Sequence, residues 1–145
     1  MSTVTNVEEH IRQIWSGSAF MQLLKINIDE VHCGGATVSM PIEFDIHTNH
    51  WLGVHGGALA ALADSVMGIT GASVGEVVQT LNFNINFISN LPGTGTAIVT
   101  SQIKHHGQTT MVITAEMTDE QHNLLATITT TMFIAGHFNE IPKVW

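Results

Sequence analysis

The stretch His55-Gly56-Gly57-Ala58-Leu59-Ala60-Ala61-Leu62-Ala63-Asp64-Ser65-Val66-Met67-Gly68 decides how this chain folds. From Gly57 to about Ala72 it predicts one helix. Leu59, Leu62, Val66, Met67 and Ile69 alternate with alanines and glycines, so no face is polar. A helix apolar all round is buried in a core or spans a membrane. This one is too short to span, which takes roughly 20 apolar residues. Asp64 sits in its middle among apolar neighbours, which predicts a buried or cleft-lining carboxylate. Such a group has to be paired, protonated or functional.

The start of the same helix carries a second signal. Gly56 and Gly57 let another group approach the backbone closely. The first N–H groups of a helix have no internal partner, and the macrodipole adds partial positive charge there. That arrangement suits a polarised carbonyl oxygen or a developing oxyanion. A glycine pair that simply makes a tight strand-to-helix turn is the other reading, and the pair alone does not separate the two.

Composition narrows the classes. A chain of 145 residues is one domain with a sizeable core, read here as residues 1–145. Hydrophobic residues make up 44% and charged ones 11%, which argues against disorder and suggests surface hidden in an oligomer. Four basic residues against twelve acidic ones give a formal charge of -8, so no basic patch for nucleic acid can be assembled. Cys33 has no second cysteine to pair with, which fits a reducing compartment. Glu8 and Glu9 without an apolar run do not make a secretory signal. The expectation is a cytoplasmic protein with no membrane segment.

Outward from the central helix, the pattern is helix, strands, helix, strands. Thr5-Asn6-Val7-Glu8 fits a capping box with Thr5 as cap, and Val7, Ile11 and Ile14 carry a first helix to about Trp15, within residues 1–18. Phe20, Met21, Leu23 and Leu24 form an apolar patch expected to pack on the core. A strand follows near Ile26 to His32, a turn at Gly34-Gly35, and a half-buried strand through Ala36, Val38, Met40 and Ile42. Pro41 puts that strand's end at an edge or a bulge. Asp45 to Gly53 reads as a loop.

After Gly75 come three or four strands in succession. Leu81, Phe83, Ile85 and Phe87 alternate with Asn82, Asn84 and Asn86, then Leu91-Pro92-Gly93 stops the run. Thr94 to His105, Met111 to Met117 and a threonine-rich strand through Ala126, Ile128, Thr130 and Met132 follow, with residues 136–145 as a tail. This order predicts an α+β fold with an antiparallel sheet. One buried helix and one sheet with a single apolar face predict a sheet curled around the helix.

These features together resemble the hotdog-fold acyl-CoA thioesterases of the PaaI type, the phenylacetic-acid-pathway kind, from about Phe20 to Ile134. The resemblance rests on Asn49-x-x-Gly53-x-His55-Gly56-Gly57, on Asp64 nine residues after His55, and on the Asn-rich strand ending in Leu91-Pro92-Gly93. The Gly107 turn and the threonine-rich last strand complete it. It implies two subunits joined edge to edge, with dimers pairing into tetramers. It also implies that Gly56 N–H and Asn49 polarise the thioester carbonyl, and that His55 supports that turn or the substrate. Asp64 becomes general base or nucleophile, and Thr80 the hydroxyl that helps place water. Gly57 lines the acyl entrance, and Ser65, Lys104, Gly107 and Gln108 join it in the substrate-binding set.

Where family members often carry Arg or Lys after the turn glycine, this chain has Gln108, with Lys104 as the nearby cation. His105 and His106 are available to help hold coenzyme A. Geometry adds an argument of its own. His55 and Asp64 are nine residues apart, about 13 Å along one helix. A base must lie within roughly 3 Å, or one water, of what it activates. One helix cannot bring Asp64 to its own Gly56 N–H; two antiparallel helices from two subunits can, giving two equivalent sites about a two-fold axis.

Other constellations are weaker. His47, His50 and His55 lie in a loop without a matching Cys or carboxylate set, so no metal and no cofactor is expected. Asp45-x-His47-x-x-His50 faintly resembles the loop of hotdog hydratases but lacks the Asn-Pro step. Ser65 has no Gly-x-Ser-x-Gly elbow. The leading expectation is an acyl-CoA thioesterase; the alternatives are a non-catalytic acyl-CoA-binding module and a thioesterase acting on acyl carrier protein.

Overall fold

The helix that the sequence places at the centre runs from Gly56 to Ala72 and is α4 of the ten elements among the described residues. The computed structural model describes residues 3–145. Before α4 come α1 (Val7–Trp15), α2 (Ala19–Leu24), β1 (Asn27–His32), β2 (Gly35–Pro41) and the single turn α3 (Phe44–His47). After it come β3 (Glu76–Phe87), β4 (Thr96–His106), β5 (Thr110–Thr118) and β6 (Leu124–His137). The strands form one antiparallel sheet in the order β1-β2-β4-β5-β6-β3.

The inward residues of the sheet close on α4. Ala36, Val38 and Met40 of β2, Val99 of β4, Met111, Ile113 and Met117 of β5, and Ile128 and Met132 of β6 are buried against Leu59, Leu62, Val66, Met67 and Ile69. A sheet with one apolar face thus curls around one helix, as the pattern of periods predicts. Pro41 pairs with Thr96 of β4 two residues past the point where β1 ends opposite Ser39, so its missing N–H faces no strand.

Four expectations change. The cap of α1 is Asn6 rather than Thr5: Asn6 Oδ1 accepts from Glu9 N–H at 3.0 Å. Asparagine is a stronger cap than threonine, and Glu8 pairs with Arg12 at 2.6 Å. The patch at 20–24 packs only in part. It forms the short helix α2, whose Met21 is buried while Phe20 and Leu23, three apart on another face, are 56% and 66% exposed. The loop from Asp45 is partly ordered by α3, and His47 is fully buried. His47 Nδ1 accepts from Glu43 N–H at 2.8 Å and its Nε2 donates to Leu24 O at 2.7 Å, so both ring nitrogens serve the main chain.

The fourth concerns α4. It buries one face rather than all of its surface. Gly57, Ala60, Ala61, Asp64 and Ser65 are exposed or half-buried, at helical spacing, opposite the buried Leu59, Leu62, Val66 and Ile69, and the half-buried Gly68 ends the stripe beneath Trp15 of α1. Because the open stripe is built from alanine and glycine, no polarity contrast marks it in the sequence. Asp64 stands in that stripe, exposed rather than buried in the single chain.

Candidate active site

The candidate residues form two groups on α4, one at its start and one in its middle. At the start, His55 is the N-cap in an extended conformation, and its Nδ1 accepts from Gly57 N–H at 2.8 Å. His55 therefore supports the turn. Its ring occupies the N–H of Gly57 and leaves that of Gly56, which has no partner among the described residues. Asn49 sits beside it: Asn49 Oδ1 accepts from Trp51 N–H at 2.9 Å, so the side-chain NH₂ is free to donate. Asn49 and Gly56 line one cleft of about 310 Å³ with Val54, Leu59, Phe87 and Ile88. Two groups with a free hydrogen-bond donor thus line one cleft at a helix N-terminus, where the helix dipole gathers positive potential.

In the middle of the helix, Thr80 Oγ1 donates to Asp64 Oδ1 at 2.9 Å. Thr80 belongs to β3, an edge strand of the sheet, and a register shift between Thr80 and Asn82 bends the strand there. With its proton given to Asp64, the Thr80 oxygen keeps lone pairs that can accept from a water. Asp64 and Gly56 are eight residues apart on one helix, about 12 Å. Within one chain they do not meet.

The remaining candidates are spread out. Ser65 donates to Ala61 O at 2.7 Å and lies on the open stripe next to Asp64. Gly57 is exposed on the same stripe and is not part of the cleft. Lys104 donates to Gln102 Oε1 at 2.9 Å on the outer face of the sheet, in a hollow shared with Thr100, Thr114 and Thr129. Gly107 and Gln108 form the turn between β4 and β5, where a Cβ on Gly107 would lie 3.1 Å from Thr110 O. Thr80, Met132, Met111 and His106 are paired in one row across β3, β6, β5 and β4. That row puts the Gly107 turn about three strand spacings, ~14 Å, from Thr80.

The comparisons with known proteins fit this geometry. Residues 53–126, from the glycine before the His-Gly-Gly turn into β6, match the family model described as the thioesterase superfamily. The chain belongs to the thioesterase superfamily. The PaaI protein of Escherichia coli, from the phenylacetic acid degradation operon, superposes with a TM-score of 0.84 at 24% identity, over 91% of this chain and 98% of its own. That likeness establishes the hotdog fold. A thioesterase of Streptococcus pneumoniae, solved with coenzyme A, is 25% identical over 77% of this chain and 90% of its own, with a TM-score of 0.74. The same protein has been solved with an aspartate, and with a threonine sixteen positions later, replaced by alanine. A Thermoplasma acidophilum protein provisionally named an esterase is 26% identical over 102 residues, 69% of this chain and 76% of its own.

Sequence reasoning missed one cluster in this thioesterase-superfamily domain. Glu76, at the start of β3, is 2% exposed and holds His106 Nε2 at 2.8 Å, His137 Nδ1 in a short contact, and Lys143 Nζ at 3.6 Å. Burial pushes its carboxyl up, but the hydrogen bonds and charges of His106 and His137 outweigh that and hold it below the usual 4.5. The cluster ties the ends of β3, β4 and β6 to residues 138–145, where Trp145 Nε1 also donates to Ser73 O at 2.7 Å. Its partners lie 30 or more positions away in sequence, so no local signal marks them. Among the described residues, no helix is long and apolar enough to cross a membrane, and no group of histidine, cysteine or carboxylate side chains is arranged to hold a metal.

Proposed function

We propose that the protein hydrolyses acyl-CoA thioesters, aryl or short- to medium-chain aliphatic, to the free acid and coenzyme A. The observation that carries this is Asp64, exposed in the middle of an apolar helix and hydrogen-bonded by Thr80 at 2.9 Å. In the proposed homodimer, β3 edges join and the open stripes of two α4 helices face each other. Asp64 of one chain then stands opposite Gly56 and Asn49 of the other. Gly56 N–H and the Asn49 NH₂ polarise the thioester carbonyl, and Asp64 takes a proton from a water held by Thr80. The hydroxide formed attacks the carbonyl carbon, the oxyanion collapses, and the sulfur leaves as thiolate and picks up a proton. Direct attack by the Asp64 carboxylate is the alternative first step.

Coenzyme A bound to the S. pneumoniae thioesterase supports the carrier. That protein's substituted aspartate and threonine, sixteen apart, match the interval from Asp64 to Thr80. Lys104, Gly107 and Gln108 serve the coenzyme A end, Ser65 and Gly57 the entrance, and dimers pair into tetramers in the cytoplasm. The test is thiol release from purified protein with acetyl-, hexanoyl- and benzoyl-CoA. Turnover of at least one supports the reading. Tight binding without turnover favours a non-catalytic acyl-CoA module, and turnover confined to acyl carrier protein moves the substrate to that carrier.

A further inference from the structure

We infer that Phe87 is the size gate of the acyl site, and that the cleft beside Gly56 takes an uncharged apolar acyl group of moderate length; this rests on the thioester reading above. The inward row of β3 runs Phe83, Ile85, Phe87. The first two pack against the core, and the third reaches beyond it to the start of α4. A Cβ placed on Gly56 would lie 3.4, 3.7 and 3.8 Å from Phe87 Cζ, Cε2 and Cε1, so the tip of the ring abuts the peptide proposed to polarise the carbonyl.

The ring cannot easily swing as part of a loose strand end. Phe87 is paired with Ala126 of β6, and the next two residues are fastened by Ile88 N–H to Leu125 O at 2.8 Å and Ser89 Oγ–H to Leu124 O at 2.7 Å. Behind it, Asn90 Nδ2 donates to Val54 O at 2.8 Å and locks the opposite wall. Leu59, 1% exposed, and Val54, fully buried, line the interior, while Phe87, 51% exposed, stands at the open side.

The lining sets the ligand class. Val54, Leu59, Phe87 and Ile88 are apolar, and the polar members Asn49, Ser89 and Asn90 carry no charge. An acyl group with its own carboxylate would find no cation among them. A cleft of about 310 Å³ is at the small end of ligand pockets, and the exposed Phe87 ring stands where a longer acyl chain would have to pass.

The experiment compares kcat/KM for hexanoyl-CoA and dodecanoyl-CoA in wild type, Phe87→Ala and Phe87→Leu. Wild type should favour hexanoyl-CoA at least about tenfold, and Phe87→Ala should raise the dodecanoyl-to-hexanoyl ratio at least about tenfold, the scale of a changed apolar pocket contact. Phe87→Leu, which keeps most of the apolar volume, should move the ratio the same way by less. A ratio moved less than about threefold in both folded variants would overturn the gate while leaving the activity standing. If wild type turns over neither thioester nor any in the shorter panel, the thioester reading itself fails, and the gate falls with it.

Discussion

Asp64 and Glu76 are twelve residues apart, one in the middle of α4 and one just after it, and the fold treats the two carboxylates in opposite ways. Glu76 is 2% exposed and gathers two histidines and a lysine. Asp64 is exposed, and among the described residues its side chain receives one hydrogen bond, from Thr80. A buried charge persists only when it is paired and hydrogen-bonded. Glu76 meets that condition inside one chain and serves to fasten three strand ends. Asp64 is left with unused lone pairs on a stripe of small residues, where a second helix and a substrate can reach it. One carboxylate holds the structure and the other is available for chemistry.

The contrast breaks if the two substitutions do the same thing. Asp64→Asn should lower kcat at least about a hundredfold, the low end for general base catalysis, with KM changed less. Its circular dichroism and melting temperature should stay near wild type. Thr80→Ala should lower kcat about ten- to a hundredfold, less than Asp64→Asn, because in the proposed mechanism it positions water rather than accepting the proton. Equal losses in steady-state assays of the two variants would contradict that ranking.

Glu76→Gln should do the reverse: leave kcat near wild type and cost about 1–3 kcal/mol of stability at pH 7, the scale of an unmade buried polar contact. Its pH dependence sharpens the point. The folded carboxyl is held below the ordinary 4.5. The stabilisation is therefore present above that value and lost as pH falls through the folded one. Thermal melts of wild type and Glu76→Gln should differ at neutral pH and converge in acid. A gap that stays constant down to pH ~3 would mean that the Glu76 charge contributes nothing.

How much of this was legible in the sequence depended on whether the signal was local. The alternation in β2, β5 and β6 and the apolar run of α4 put the elements within a few residues of their observed bounds. Asp64 stood out because it is the one acidic residue between Asp45 and Glu76. The open stripe of α4 was legible only as an Ala-rich face suited to close helix approach, and its bounds were not, since alanine and glycine look alike on a buried face and on an exposed one. Glu76 carried no signal because His106, His137 and Lys143 reach it only after the sheet has closed. The Thr5 cap failed for a smaller reason: two adjacent residues could both cap, and asparagine is the stronger cap of the two. Phe87 read as one more inward strand residue; its meeting with Gly56 needed the tertiary structure.

The central claim is that each site is shared by two chains, with Asp64 from one and Gly56 from the other. Mixing two inactive variants tests it most directly. Asp64→Asn removes the proposed catalytic carboxylate. Gly56→Pro removes the N–H at the first helical position, where proline is favoured, and His55 before it is already extended (φ −66°, ψ 129°). Each variant alone should be nearly inactive. After unfolding and refolding together in equal amounts, about half the dimers are mixed, and each mixed dimer has one intact site. Thiol release should recover to about a quarter of the wild-type rate per chain. A mixture in which native mass spectrometry shows both variants in one oligomer, yet no more active than the separate variants, would contradict the shared site.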